Sequence, residues 1–377
     1  MTESPSPRPF RTIPVARVFV WLAVLAFPLG IAAEWYARFD DQRRFGTPFS
    51  ANPDLNRDLI LQDSLGVRGR PFGQYMGWRL NSGGFRSPEA ALTAKPDCPL
   101  VMTLGSSETF GYMESPGKEY PAQLADSLAG RACYRVLNGA IVGMNLPGTM
   151  QYFSLWGTRF RPDVVVLIAN PLPYVGDGVP MAPARTPGNG TTAPSRFPWR
   201  PRLPSKLKAL INYPAFIQRR RIERMVERLV DGKPDDWFFR EIPNDRLALF
   251  RRDLIAAVET IRATGATPLL VMHPMRYTNL DVAGARTEMQ AMRQFGARPL
   301  PEVLLAFDRA GGRVAAEIAT TMDVPVVDLP AVMNGHLELF SDPVHYSEAG
   351  AAVIAAQVSR AILALPTQRA AANSSTR

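Results

Sequence analysis

Asp342 and His345 stand three positions apart in Asp342-Pro343-Val344-His345, in a chain that has only 3 histidines. At that spacing on a turn the two side chains can act as one unit, the carboxylate orienting the ring while the ring accepts and returns a proton. Such a pair needs a nucleophile from elsewhere. The run Leu100-Val101-Met102-Thr103-Leu104-Gly105-Ser106-Ser107 offers one, because an apolar stretch that stops at a glycine and two serines reads as strand, tight turn, helix. A serine at the carboxyl end of a buried parallel strand is exposed where open α/β sheets bind ligands, and the backbone amides that follow it can face an oxyanion.

The elements that would position these residues form an alternating pattern. Strands are expected at 100–104, 134–137, 164–168, 268–272 and 324–327, with helices at 120–129, 246–264, 302–322 and 347–363 between and after them. Five short apolar runs separated by helical stretches imply a parallel sheet. Gly130 and Gly265 are placed to end their helices, and Ser347 to cap the last one, which sets His345 just before a helix N-terminus. Residues 98–365 therefore form the main domain. An irregular lead-in is expected at 34–97. An insertion rich in Pro, Gly, Thr and Ser at about 176–240, with a basic helical stretch over 206–229, reads as a solvated excursion or as a lid or partner surface. Residues 366–377 read as a disordered tail.

Residues 18–33 are almost wholly apolar, with Arg8, Arg11 and Arg17 before them and Glu34 after. At about 1.5 Å per residue the run covers about 24 Å, short of a hydrocarbon core unless residues 13–16 join it. It reads as an uncleaved membrane anchor rather than a removed signal peptide, with residues 1–17 cytosolic and the bulk of the chain in the periplasm or another extracytoplasmic space. The formal charge of +9 comes with no zinc spacing and no interleaved aromatic stripe, so no nucleic-acid partner is expected. Cys98 and Cys133 each precede an expected strand. If those strands are parallel neighbours, a disulfide is geometrically feasible; two unpaired thiols are the alternative.

Taken together, these blocks resemble the SGNH, or GDSL-type, hydrolase superfamily, and the stretch Leu80-Asn81-Ser82-Gly83-Gly84-Phe85-Arg86 is similar to the lead-in of its bacterial membrane-anchored members. The likeness runs over roughly 80–363. It implies a flavodoxin-like three-layer α/β/α fold around a central five-stranded parallel sheet. Gly105-Ser106-Ser107 matches the family's first block, which makes Ser107 the nucleophile. Asn138-Gly139-Ala140-Ile141-Val142-Gly143 matches the glycine block, with Gly143 as backbone oxyanion donor, and Ala169-Asn170 matches the Asn block, with Asn170 as side-chain donor. Asp342 and His345 match the final block. Ser106 stands where the family has Asp, Pro171 where an Asp is common, and Ile168 where many members have Gly. Ser106 thereby loses a brace for the nucleophile turn and supplies a rival hydroxyl.

The resemblance implies a serine esterase that acts on an acyl ester, lipid or acylated glycan, with no cofactor and no catalytic metal. The same acyl-enzyme could pass its acyl group to an envelope glycan, as an O-acyltransferase does. A membrane-tethered binding or assembly factor without turnover is the third reading. Other features point elsewhere. His273 reads as a hydrogen-bonded structural residue, and His336 as a loop residue. Gly188-Asn189-Gly190 follows no expected strand and lacks the third glycine of a dinucleotide fingerprint, and Gly105-Ser106-Ser107-Glu108-Thr109 lacks the last glycine of a Gly-x-Ser-x-Gly elbow.

Overall fold

The computed structural model describes residues 15–45, 49, 55–63, 66–75, 77–93, 95, 98–176, 202–204, 206–207 and 215–365, except for the side chains of 15–23, 25, 44–45, 56–57 and 215–218. The expectations made for residues 1–14, for most of the 176–240 insertion including Gly188-Asn189-Gly190, and for the 366–377 tail lie outside these residues.

Helix α1 (Val15–Phe45) comes first, followed by α2 (Leu55–Asp58) and two short antiparallel hairpins, β1 (Ile60–Asp63) with β2 (Gly66–Gly69) and β3 (Gln74–Tyr75) with β4 (Trp78–Arg79). The expected irregular lead-in is thus partly ordered. Its strands are too short, at two to four residues, to carry a readable alternation. The apolar run 18–33 lies inside α1, with the side chains of 18–23 and 25 outside the described residues. Among the described residues no helix is long and apolar enough to cross a membrane. The foot of α1 is held by charge instead: Arg38 is buried and its Nε donates to Glu34 at 2.7 Å, while Glu34 also accepts the backbone N–H groups of Arg202 and Leu203.

The central sheet contains β5 (Leu100–Leu104), β6 (Arg135–Asn138), β7 (Val164–Ala169), β8 (Thr267–Met272) and β9 (Val326–Val327), all parallel, in the order β6-β5-β7-β8-β9. With the strands renumbered from β5 this is the 2-1-3-4-5 order of a flavodoxin-like sheet, which reverses direction at β5. All residues of β5 and β7 are buried, because helices cover both faces, and both strands are apolar but for Thr103. Leu100, Met102, Leu104, Val165 and Leu167 point to one core, which helices α5 (Leu146–Leu155), α7 (Asn244–Ala263) and α9 (Pro301–Thr321) complete. Val101, Val164, Val166, Ile168 and Val271 point to the other, shared with α4 (Tyr120–Ala129) and α11 (Glu348–Ala364). Each fully buried Leu or Val stabilises the fold by about 1.5–3 kcal/mol before chain entropy is counted.

The remaining helices are α3 (Ser107–Phe110), α6 (Ala215–Val230), α8 (Ala285–Met292) and α10 (Pro330–Met333). Of the two expected glycine caps, Gly265 is left-handed at φ 81°, whereas Gly130 keeps a helical φ of −75°. Helix α5 was not anticipated, although Asn145 before Leu146-Pro147 is a legible start: its side chain accepts the Gly148 N–H. Cys98 and Cys133 are joined in a disulfide with their Cα atoms 4.8 Å apart, at the amino ends of the neighbouring strands β5 and β6.

Candidate active site

The loops at the carboxyl ends of β5, β6 and β7 meet where the sheet order reverses. Ser107 opens α3 directly after β5. The turn needs Gly105, because a Cβ at that position would lie 2.3 Å from Thr109 Oγ1. Behind the turn, Arg86 Nη1 donates to the carbonyls of Phe110, at 2.8 Å, and Gly111. Asn138 Nδ2 donates to the carbonyls of Thr109 and Phe110 at 3.2 and 3.3 Å. The short helix that carries the serine would otherwise leave these carbonyls unpaired.

Ser107 Oγ lies 2.9 Å from His345 Nε2, and His345 Nδ1 lies 2.7 Å from Asp342 Oδ2. The other Asp342 oxygen accepts the backbone N–H groups of Val344 at 3.0 Å and His345 at 2.8 Å, so the carboxylate is fixed at both ends. Ser347 caps α11 through the Gly350 N–H at 3.1 Å and anchors the loop from below. The Tyr112 ring flanks the imidazole at 5.4 Å between centroids. Burial alone would depress the His345 pKa, but the hydrogen bond and charge of Asp342, with Glu108 and Glu114 further off, hold it above the usual histidine value. Burial would raise the Asp342 pKa, yet His345 and the two backbone N–H groups hold it below the ordinary carboxylate value.

Ser107, His345, Gly143 and Asn170 all line one cleft of about 520 Å³. Gly143 has a φ of 79°, a conformation that favours glycine, and nothing stands within 4 Å of where its Cβ would be. Ser106 lines the same cleft, but the hydroxyl at His345 belongs to Ser107. Leu172, Pro173, Val175, Met292, Phe295 and Leu304 give the cleft an apolar wall, and its described lining includes no lysine or arginine. His336 is exposed and pairs with Glu338 at 3.3 Å, away from this cleft. The disulfide lies at the opposite, amino-terminal edge of the sheet.

No family model matches the chain, and no curated protein matches it in sequence. Solved structures similar to it include a G-D-S-L family lipolytic protein from Desulfitobacterium hafniense, at 14% identity and a TM-score of 0.39 over 70% of this chain and 98% of that one. An acetylxylan esterase from Geobacillus stearothermophilus stands at 15% identity and TM-score 0.40, covering 71% of this chain and 96% of its own. A lipase/acylhydrolase from Enterococcus faecalis stands at 15% and 0.41, covering 70% and 95%. The four blocks lie one after each of β5, β6 and β7 and one ahead of α11. The chain has a flavodoxin-like α/β fold.

Within this site the structure adds residues that the sequence reading missed. Glu108 is buried beside Ser107: one oxygen accepts the Asn170 Nδ2–H and the other lies 3.4 Å from Ser107 Oγ. Asn170, expected as a donor into the cleft, therefore has one N–H already engaged. His273, expected as a hydrogen-bonded structural residue, is buried with Nδ1 2.7 Å from Asp308 and Nε2 3.8 Å from Glu108. Burial would lower the His273 pKa, but Asp308 first and Glu108 further hold it above the usual value. Glu108 was legible only as a polar residue inside an apolar-flanked turn. The meeting with Asn170 and His273 joins the ends of three strands that are distant in sequence.

Proposed function

We propose that the protein is a serine ester hydrolase working through an acyl-enzyme. The observation that carries this reading is the continuous contact from Ser107 Oγ through His345 to Asp342, at 2.9 and 2.7 Å. His345 takes the Ser107 proton as the hydroxyl oxygen attacks an ester carbonyl, and Asp342 holds the imidazole tautomer and stabilises its cation. The tetrahedral oxyanion is received by the backbone N–H groups of Ser107 and Gly143 and by the Asn170 amide. His345 then returns the proton to the leaving alcohol, and a water activated by the same imidazole releases the acid.

The apolar cleft wall, without lysine or arginine among its described residues, suits an ester with an uncharged acyl group and disfavours phosphorylated or carboxylated acyl chains. The disulfide between Cys98 and Cys133 favours an oxidising compartment, and the basic-flanked apolar run at 18–33 favours attachment at the outer face of a membrane. Fluorophosphonate labelling and hydrolysis of short p-nitrophenyl esters test the reading. Wild type and Ser106→Ala are expected to label and turn over. Ser107→Ala is expected to lose the label and about 10⁴-fold or more in kcat. Labelling that survives in Ser107→Ala would sink the assignment of the nucleophile.

A further inference from the structure

The Asn170 amide has two ends and three hydrogen-bonding demands. Its Oδ1 accepts the Leu172 backbone N–H at 2.9 Å, and one Nδ2–H is given to Glu108, so both ends are engaged and the amide cannot flip. The second Nδ2–H is left for the cleft that Asn170 lines. Glu108 is only 4% exposed, and a carboxylate in such a place needs a compensating partner. His273 provides it. Its Nε2 is buried, has no hydrogen-bond partner among the described residues and faces the Glu108 carboxylate at 3.8 Å, while Asp308 fixes its other nitrogen. The chain Asp308–His273–Glu108–Asn170 thus runs from inside the core to the edge of the cleft, parallel to the Asp342–His345–Ser107 chain.

We propose that Glu108 is a positioning residue that aims the Asn170 amide N–H at the oxyanion, and that the His273–Asp308 pair holds Glu108 in that pose. The role is specific to this chain's own residues. Ser106, standing where an acidic residue is usual, makes no brace here, and the acidic side chain two positions later turns inward to take up the amide. Without Glu108 the Asn170 amide is held only through Oδ1 at the Leu172 N–H, and the transition state loses the preorganisation of one donor while substrate binding is left alone.

This inference rests on the hydrolase reading, and a mutant cycle separates the two. Labelling rates with a fluorophosphonate and kcat and KM with p-nitrophenyl acetate are measured for wild type, Glu108→Ala, Glu108→Gln and His273→Gln, each alone and combined with Asn170→Ala. Glu108→Ala is expected to lower kcat and the labelling rate by about a hundredfold, as loss of one oxyanion donor does, with KM little changed. Glu108→Gln keeps an oxygen for the Asn170 amide and is expected to recover most of that loss. In the Asn170→Ala background the effects of Glu108→Ala and His273→Gln are expected to vanish, because there is no amide left to aim. The His273→Gln cycle does not depend on Glu108→Ala folding. Losses that add undiminished to that of Asn170→Ala, in a wild type that labels and turns over, overturn this proposal alone. A wild type that is not labelled overturns the hydrolase reading and this one with it.

Discussion

His345 is pulled two ways, and Asp342 decides the outcome. Burial disfavours the imidazolium, whereas Asp342 at 2.7 Å, then Glu108 and Glu114, favour it. A base must be unprotonated to act, so a raised pKa means that activity is lost on acidification earlier than a free histidine would allow. The acid limb of the kcat/KM profile is therefore expected above pH 6.5, the ordinary value of the ring. Asp342→Asn removes the largest raising influence, so the limb should move to lower pH while kcat falls by about 10⁴-fold through loss of the tautomer. A pH–rate series on both proteins checks the two effects together, and an unmoved limb in Asp342→Asn would contradict the assignment. Glu114, buried and pushed up to about 7 by desolvation, titrates in the same range, so the wild-type limb reports the cluster rather than one group.

Helix α3 is four residues long and cannot hold itself in place. Its shape comes from outside, through Arg86 on the Phe110 and Gly111 carbonyls and Asn138 on those of Thr109 and Phe110. Arg86 also pairs with Glu119 at 3.1 Å, with both side chains 5% exposed. Arg86→Met keeps the aliphatic stem but leaves the buried Glu119 carboxylate without its charge partner, held by the Gly117 N–H only, and the two carbonyl contacts unmade. Stability is expected to fall by about 3–5 kcal/mol in urea unfolding, and the folded fraction should label more slowly at Ser107. The motif containing Arg86 was legible as a family lead-in, but its purpose was not, because the contact spans from residue 86 to 111. The central strands were legible for a simple reason: β5 and β7 are buried on both faces, so their runs are apolar almost throughout, with Thr103 the single polar residue. The hairpins before them were not, since strands of two to four residues leave no period to read.

The whole domain is divided between two ends of one sheet, chemistry at the carboxyl ends of the strands and the disulfide at the amino ends. Cys98 and Cys133 close a loop of 35 residues that contains β5 and the nucleophile turn. Replacing both cysteines with alanine is expected to cost about 2–4 kcal/mol of stability, mainly by freeing the unfolded chain, while kcat at a temperature where the variant is folded stays near wild type. Denaturant unfolding with parallel esterase assays checks this, and a large kcat loss in fully folded protein would show that the two ends are coupled. The amino-acid sequence by itself determined the five-strand pattern, the order of the blocks and the local pair Asp342 and His345, because periodicity, turn chemistry and short spacing are all properties of neighbouring residues. It preferred Ser107 to Ser106 only through a family resemblance, and it left open whether the cysteines join and which groups Glu108 and His273 meet. Only the tertiary structure decided these, since each depends on distances between segments that the sheet brings together and that no local pattern records.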